Sequence, residues 1–278
     1  MSLEQSVDVP RVRSRGEGRP AWSLVLSREL FELWVGGKAI VLVIIYSILL
    51  GVTAFVTSNN SELELIPPKE LVFMTLSTAI AIGLFIGLVT GADSISGERE
   101  RGTLEALLLT PTSRRQIVLG KFLAAVSPWP LALALAYPYL ALFSQGGQAW
   151  ARALLWGAFV GSLLTLAFAG LGMLVSIWSD SNKTSMVVAL VIYIAFYIPT
   201  QWAGAAQTGV TGRLFKRVNP MEAGNHFLEK VLVNNRTLAE FWLWLAAPAV
   251  FLVLTLGVLF VYAAPRIRVE AWTGDKRA

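Results

Sequence analysis

The chain has 278 residues, of which 55% are hydrophobic and 15% are charged. An average globular protein carries roughly 25% charged residues, and a fold in water has no reason to keep every charge out of long segments. Cysteine is absent, which excludes a disulfide framework, a thiolate metal site and a cysteine nucleophile.

Six segments contain none of the 23 Lys and Arg or the 18 Asp and Glu residues. Each is close to the roughly 20 residues that a helix needs to cross the hydrocarbon core of a bilayer, where a charge is costly. They are too continuously apolar to be the alternating strands of a membrane barrel. The predicted fold is an all-α polytopic membrane protein whose six transmembrane helices cover residues 39–57, 71–92, 122–143, 153–177, 184–206 and 241–264.

Lys and Arg are distributed unevenly between the two sides of this topology. The side that holds both termini has 16 of them and the opposite side has seven, and an excess of Lys and Arg is typical of cytoplasmic loops. We therefore expect both termini in the cytoplasm and an external loop at 207–240. This topology, rather than binding to nucleic acid, explains the net charge of +5. The expected organisation is a disordered basic tail at 1–20, a six-span membrane domain at 21–264 and a cytoplasmic tail at 265–278.

A candidate amphipathic helix, residues 21–37, precedes the first span. Arg28 and Glu32 are four residues apart on its polar face, as in a stabilising pair. Such a helix is suited to the headgroup region of the membrane and would contact lipids. The alternative is that it simply begins the first span. Its predicted apolar face consists of Trp22, Leu26, Leu30 and Leu33.

The segment between the second and third spans, residues 93–121, is charged at its start and then amphipathic. Gly102 interrupts the charged turn, Thr103 can cap a short helix, and Thr110-Pro111 stops that helix. Ser113 and Gln116 have the spacing of a capping box, so a new helix begins there. A short transverse helix predicts a docking element. The residues alone equally allow a solvated loop that binds lipid phosphates.

This segment resembles the signature of type-two ATP-binding-cassette (ABC) permeases, the membrane subunits of a large class of exporters. The resemblance extends over nearly the whole chain, through the six spans and the long loop before the last span. In that loop, Asn219-Pro220-Met221 and His226 resemble the part of the family that forms short re-entrant helices. The matching signature residues are Gly97, Glu98, Arg99, Glu100, Arg101, Gly102, Thr103, Leu104, Glu105, Leu107, Leu108, Thr110, Pro111, Ser113, Arg114, Gly120 and Lys121.

The resemblance implies that the loop after the second span is a coupling helix that binds an ABC ATPase subunit, with the N-terminal amphipathic helix beside it. It also implies that two permease subunits pair, as a homodimer or a heterodimer, and that substrate passes between them. The residues that it assigns to the ATPase contact are Glu98, Arg99, Glu100, Arg101, Gly102, Thr103, Leu104, Glu105 and Leu108.

The second and fifth predicted spans carry the candidate substrate route. Small residues four apart in the second span let helix backbones approach closely, and sparse hydroxyl groups occur near the outer half of the fifth. The alternative for the glycines is packing inside one subunit. The candidate route residues are Ser77, Gly83, Gly87, Thr90, Tyr193, Tyr197 and Thr200.

The chain shows no energy source of its own. It lacks the G-x-x-x-x-G-K-[ST] loop that binds nucleotide phosphates, and its six predicted spans lack the ionisable residues of an ion-coupled carrier. We therefore expect no cofactor in this chain, with ATP and Mg²⁺ bound by a partner ATPase. The single histidine, His226, cannot complete a metal site alone, so we do not expect an enzyme.

The expected function is that of a permease subunit in an ATP-driven exporter of a prokaryotic plasma (inner) membrane. The uncharged spans favour a hydrophobic or amphipathic cargo. A membrane anchor or mechanotransmitting subunit that uses the same coupling segment, and an intramembrane enzyme, are the alternatives.

Overall fold

The computed structural model describes residues 20–60, 66–145, 147, 149–201, 209–234, 236 and 238–267. The described residues contain no β-strand, which confirms the predicted all-α class. The expected disordered tail, apart from residue 20, and the expected cytoplasmic tail beyond residue 267 lie outside the described residues.

The helices follow one another along the chain with short connections. They are α1 (Ala21–Trp34), α2 (Lys38–Asn59), α3 (Pro68–Arg101), α4 (Leu104–Leu108), α5 (Arg114–Val126), α6 (Pro128–Phe143), α7 (Ala149–Trp178), α8 (Asn182–Tyr197), α9 (Val210–Val218), α10 (Pro220–Leu232), α11 (Leu238–Phe241) and α12 (Ala246–Gly257). Among the described residues, six segments are long and apolar enough to cross a membrane, so the six predicted spans are confirmed. These spans are α2, α3, the α5–α6 pair, α7, α8 extended to Gln201, and α12 within Trp242–Arg266.

The second span, α3, is longer than its apolar segment. The helix continues beyond residue 92 through the charged residues to Arg101, because Glu and Arg are good helix formers once the chain leaves the hydrocarbon. Gly102 then ends the helix with φ 71°, a left-handed conformation that favours glycine. The first part of the predicted docking loop is therefore helical and continuous with the membrane span.

Proline interrupts the third span. Helix α5 ends at Val126 and α6 begins at Pro128, since proline lacks the amide hydrogen that would continue the backbone ladder. Pro138 lies inside α6 without ending it. The third span is therefore two helices in series.

Helices α3 and α7 form the centre of the bundle, in contact along their length. A methyl group on Gly91 would collide with the backbone carbonyl of Ala169, and one on Gly172 would collide with the carbonyl of Leu88. Glycine therefore permits direct backbone contact between these two helices.

The other spans surround this pair unequally. The most apolar part of α3 is 61% buried inside the chain, whereas the corresponding part of α8 is only 11% buried. The corresponding parts of α2 and α12 are likewise little buried, with buried shares of 22% and 17%. A membrane span that is open to this degree faces lipid or another protein chain.

Candidate functional site

At the end of α3 that is predicted to lie in the cytoplasm, the chain turns sharply into α4. The amide of Gly102 donates to the carbonyl of Arg99 at 3.2 Å, and the amide of Thr103 donates to the carbonyl of Glu98 at 3.0 Å. The prediction that Thr103 caps α4 is wrong: its backbone is already helical, with φ −90° and ψ −12°, and its hydroxyl makes no capping bond. The predicted cap at Ser113 is confirmed, because its hydroxyl accepts the amide of Gln116 at 3.3 Å.

Helix α4 has one face packed on the bundle and one face open to solvent. Leu104 and Leu107 are buried, while Glu105 is exposed. Leu109, directly after the helix, is 86% exposed. Leu109 lies outside the six membrane-spanning segments, so the hydrocarbon core of the bilayer does not cover it.

A buried ion network joins α1, α3 and α5. Lys121 Nζ lies 2.8 Å from Glu98 Oε1 and 2.8 Å from Glu29 Oε1, and the guanidinium of Arg28 lies 3.9 Å from Glu98 Oε1. Lys121 and Glu98 are each 1% exposed. Burial raises the pKa of the Glu29 carboxyl, and the ammonium group of Lys121 opposes that rise. Removing one partner of a buried pair costs about 3–5 kcal/mol, so the network fixes the three helices to one another.

Gly120 lets α1 approach α5 closely enough for this network to form. A methyl group on Gly120 would lie 2.8 Å from Val25 Cγ1 and 2.9 Å from the carbonyl oxygen of Trp22, which is closer than real Cβ contacts. Val25 is accordingly the buried residue of α1. The predicted apolar face of α1 is half-buried, and its members are Trp22, Leu26, Leu30 and Leu33.

Arg99 and Glu100 bind the turn between α7 and α8. The guanidinium of Arg99 donates to the carbonyl oxygen of Ile177 at 3.3 Å and to that of Ser179, where the end of a helix attracts a cation. Glu100 Oε2 accepts the amide of Asn182 at 3.2 Å, at the start of α8, where a carboxylate is favoured. These two charges attach the end of α3 to its neighbours within the chain.

Three residues of this region have positions that the sequence interpretation missed. Leu109 is the exposed leucine of its run, but a five-residue helix has no periodicity that would reveal which leucine points outward. Lys121 closes the signature, yet its partner Glu29 is 92 positions away. A lysine directly before a charge-free span is the one signal that could have suggested a buried ion pair.

The glycines of the candidate route lie against residues of the same chain. A methyl group on Gly83 would collide with the ring of Trp129, and one on Gly87 would lie 3.0 Å from Thr165 Cγ2. In this structure both glycines therefore serve packing inside the subunit, the alternative that the sequence left open.

Two hydroxyl groups of the candidate route are also satisfied within the bundle. The buried Thr90 hydroxyl donates to the carbonyl of Ala125 at 2.8 Å, and the Tyr193 hydroxyl donates to the carbonyl of Ala81 at 3.0 Å. Tyr193 also stacks on Tyr197, with ring centroids 5.5 Å apart.

The remaining route residues, Ser77, Tyr197 and Thr200, line a recess of about 340 Å³ between α3, α8, α9 and α10. The Ser77 hydroxyl donates to Asn225 Oδ1 at 3.1 Å. The Thr200 hydroxyl donates to the carbonyl of Tyr197 at 2.7 Å. The structure thus brings three of the seven predicted route residues together in one recess.

Ionisable groups of α9 and α10 complete the wall of this recess. Burial raises the pKa of the Glu222 carboxyl, an effect that Lys216 opposes and Glu229 reinforces. Burial lowers the pKa of His226, whose Nδ1 lies 3.9 Å from Glu229 Oε2, so the imidazole is neutral at pH 7. The recess therefore offers two carboxyl groups and other hydrogen-bond acceptors, with the ammonium group of Lys216 beside them.

The described residues contain one set of three acids that could share a metal ion, Glu29, Glu32 and Glu98, with carboxylate oxygens within 4.8 Å of one another. Lys121 and Arg28 already place positive charge against these carboxylates. We therefore assign ion pairing to this set.

Comparison with known proteins gives one family model and one relative. The model of the family described as "ABC-2 family transporter protein" matches residues 39–264. The chain is also similar to the ABC transporter permease protein NatB of Bacillus subtilis (strain 168), at 30% identity over 145 aligned positions. That alignment covers 44% of this chain and 37% of the relative. The chain is a multi-pass membrane protein, and it belongs to the ABC-2 family of ABC transporter permeases.

Proposed function

We propose that this chain is the permease subunit of an ATP-driven exporter in a prokaryotic plasma (inner) membrane, with both termini in the cytoplasm. It forms the substrate route with a second permease, and separate ATPase subunits bind the ATP and Mg²⁺. The observation that carries the proposal is the exposed face of α4, joined without a flexible linker to the membrane-spanning helix α3.

The ATPase contact surface consists of Arg101, Thr103, Glu105 and Leu109, all exposed on or beside α4. Protein interfaces combine an apolar core with a polar rim, and this surface offers one apolar side chain together with three polar ones. Glu98 and Leu104, which the resemblance also assigns to the contact, are buried and support this surface from inside. Gly102 makes the turn and Leu108 packs partly beneath it.

Movement of the ATPase reaches the membrane through two helices at once. A push on α4 moves the end of α3 directly, and the Glu98–Lys121–Glu29 contacts transmit the same movement to α5 and α1. Because a buried charge is costly to leave unpaired, the three helices move as one body. The N-terminal helix is thus part of the coupling device as well as a lipid contact.

Helix α8 provides the surface for the second permease. Its side chains Val187, Val191 and Ile194 are exposed along one face, and the recess that contains Tyr197 opens at its outer end. Two chains that meet along α8 enclose their recesses between them, as a homodimer or with a related chain. Helix α3 lies at the centre of its own bundle and contributes to the route through Ser77.

The cargo that fits this arrangement is amphipathic. The walls of the spans are uncharged, while the recess holds carboxylate and hydroxyl groups that would bind a polar or cationic end. Hydrophobic compounds with a protonated amine combine both properties.

A mechanotransmitting subunit is the second candidate, since the α1–α3–α5 joint alone could pass movement to another protein. Inside-out vesicles that contain the permease and its co-purifying ATPase separate the two functions. ATP-dependent accumulation of a fluorescent amphipathic amine inside the vesicles, abolished by vanadate, supports the exporter. Permease-dependent ATP hydrolysis without accumulation of amines, lipids or peptides supports the second candidate.

A further inference from the structure

An apolar groove runs between α9 and the outer half of the sixth span. Its volume is about 690 Å³, within the range of about 300–1,000 Å³ of ligand sites. Val218 of α9 forms one wall, and Ala247, Val250 and Leu254 form the other along a single face of α12. Val218, Val250 and Leu254 are more than half exposed, so no part of the described chain covers the groove.

One end of the groove carries positive charge at the level of the membrane surface. The guanidinium of Arg217 lies over the ring of Trp244, 5.7 Å from its centroid, and Trp244 is near the start of the sixth span. Tryptophan at the end of a span marks the headgroup region. Glu240 lies at the same end, and its charge is offset by Arg236, a residue outside the groove lining that lies 4.0 Å away.

This end of the sixth span is opposite the charged turn after α3. At the other end of the span, the guanidinium of Arg114 donates to the carbonyl of Pro265 at 3.0 Å. The groove therefore opens in the leaflet opposite the ATPase contact surface.

The length of the groove matches one leaflet. Ten residues separate Trp244 from Leu254, which corresponds to about 15 Å of helix, half of the ~30 Å hydrocarbon core. Helix α9 itself has basic residues in its last turn and exposed Leu214 and Val218, a composition typical of a helix that lies in the interface of an anionic membrane.

We propose that the groove binds a single phospholipid of this leaflet, with its phosphate at Arg217 and one acyl chain along Ala247, Val250 and Leu254. An acyl chain would pack against the apolar walls, and the phosphate would pair with the positive charge at the end of the groove. The bound lipid would fill the space between α9 and α12. The inference does not depend on the transport function proposed above.

A photoreactive lipid tests this site. The full-length protein would be placed in vesicles of phosphatidylcholine that contain a phosphatidylglycerol with a diazirine in one acyl chain, irradiated, and mapped by peptide mass spectrometry. Labelling is expected on residues 246–254. Arg217→Glu should reduce it at least about fivefold, because one basic contact with an anionic headgroup is lost and the new carboxylate repels the phosphate, whereas Arg213→Glu on the same helix should leave it unchanged.

Ala247→Trp provides a second variant, because it fills the groove without changing a charge and should also abolish the labelling. Equal labelling of Arg217→Glu and Arg213→Glu, or labelling spread evenly over the exposed face of α8, would overturn the proposal. Crosslinks between two copies of the chain through residues 246–254 would overturn it as well, since they would make a second copy the occupant. Thermal unfolding of each variant in detergent checks that all are folded.

Discussion

Lys121 Nζ lies 2.8 Å from Glu98 Oε1, and both side chains are almost completely buried between three helices. Glu98 is the second and Lys121 the last of the residues that match the family signature, so one ion pair joins the two ends of the signature. Part of its sequence pattern therefore describes internal architecture rather than a docking surface.

Replacing one residue of this pair should lower the free energy of unfolding more than replacing both residues. Lys121→Met leaves the buried Glu98 carboxylate with only the more distant Arg28 as a cationic partner and is expected to lower the free energy of unfolding by about 3 kcal/mol or more. The double variant Lys121→Met/Glu98→Met should recover part of that loss, because apolar replacements of a buried pair are often nearly neutral. Thermal or denaturant unfolding in detergent, followed by tryptophan fluorescence, measures the coupling. If the losses of unfolding free energy in the two single variants simply added in the double variant, the two residues would not interact as a buried pair.

Glu29 should give the protein a specific pH dependence. Burial raises the pKa of its carboxyl above the ordinary value of 4.5, so above pH 4.5 the folded state holds this proton more tightly than the unfolded state. The stability that this group contributes is therefore fully present below pH 4.5 and is lost as pH rises through the folded pKa. The midpoint of unfolding of the wild type, relative to Glu29→Gln, should decrease over that interval. A difference that rises with pH would mean that the pKa is lowered instead.

Gly120 should be intolerant of a methyl group where Gly257 is tolerant. Gly120→Ala places Cβ against the Trp22 carbonyl and should displace α1, so hydrogen exchange of residues 21–34 should become faster. Gly257→Ala is the matched control, because an added Cβ there meets nothing within 4 Å and alanine favours the helix. Equal exchange in the two variants would show that α1 does not depend on this close approach.

Tyr197 should influence substrate response without influencing assembly. Tyr197→Ala removes a wall of the recess and its stacking on Tyr193, so stimulation of ATP hydrolysis by an amphipathic amine should shift in concentration dependence. Tyr197→Phe keeps the ring and should retain most of the response. Tyr137→Ala, outside the recess, controls for the loss of an aromatic residue elsewhere. An unchanged response in Tyr197→Ala would show that the recess is not part of the substrate route.

The six spans and the helix start at Ser113 could be predicted because both follow from local properties of the sequence. The spans follow from the exclusion of charge from hydrocarbon, and the helix start follows from a serine hydroxyl three residues before the amide that it caps. The partners within the bundle could not. Gly83 has the spacing of a packing glycine, but nothing near it in the chain indicates that Trp129 fills the space. The same limit applies to Glu98, whose charge in a basic and acidic run predicts exposure until the fold brings Lys121 against it.

The prediction of the substrate route was limited in the same way, because local sequence does not show which hydroxyl groups are satisfied within the bundle. Ser77 and Thr200 are polar residues in apolar surroundings, and this pattern is shared by Thr90, whose hydroxyl is instead satisfied by the backbone of α5. Which hydroxyl lines a recess depends on α10, more than a hundred residues further along the chain than α3.

Leu109 tests the central claim most directly, because it is exposed and outside the membrane spans. Leu109→Glu should leave the unfolding temperature unchanged, since surface substitutions usually alter stability by less than about 0.5 kcal/mol. It should nevertheless lower the affinity for the ATPase and the ATP-driven accumulation of substrate in vesicles by at least about tenfold, the loss expected of an interface hot spot, with Leu109→Met near wild type. Full ATPase binding and full transport by Leu109→Glu would contradict the assignment of this face as the coupling surface.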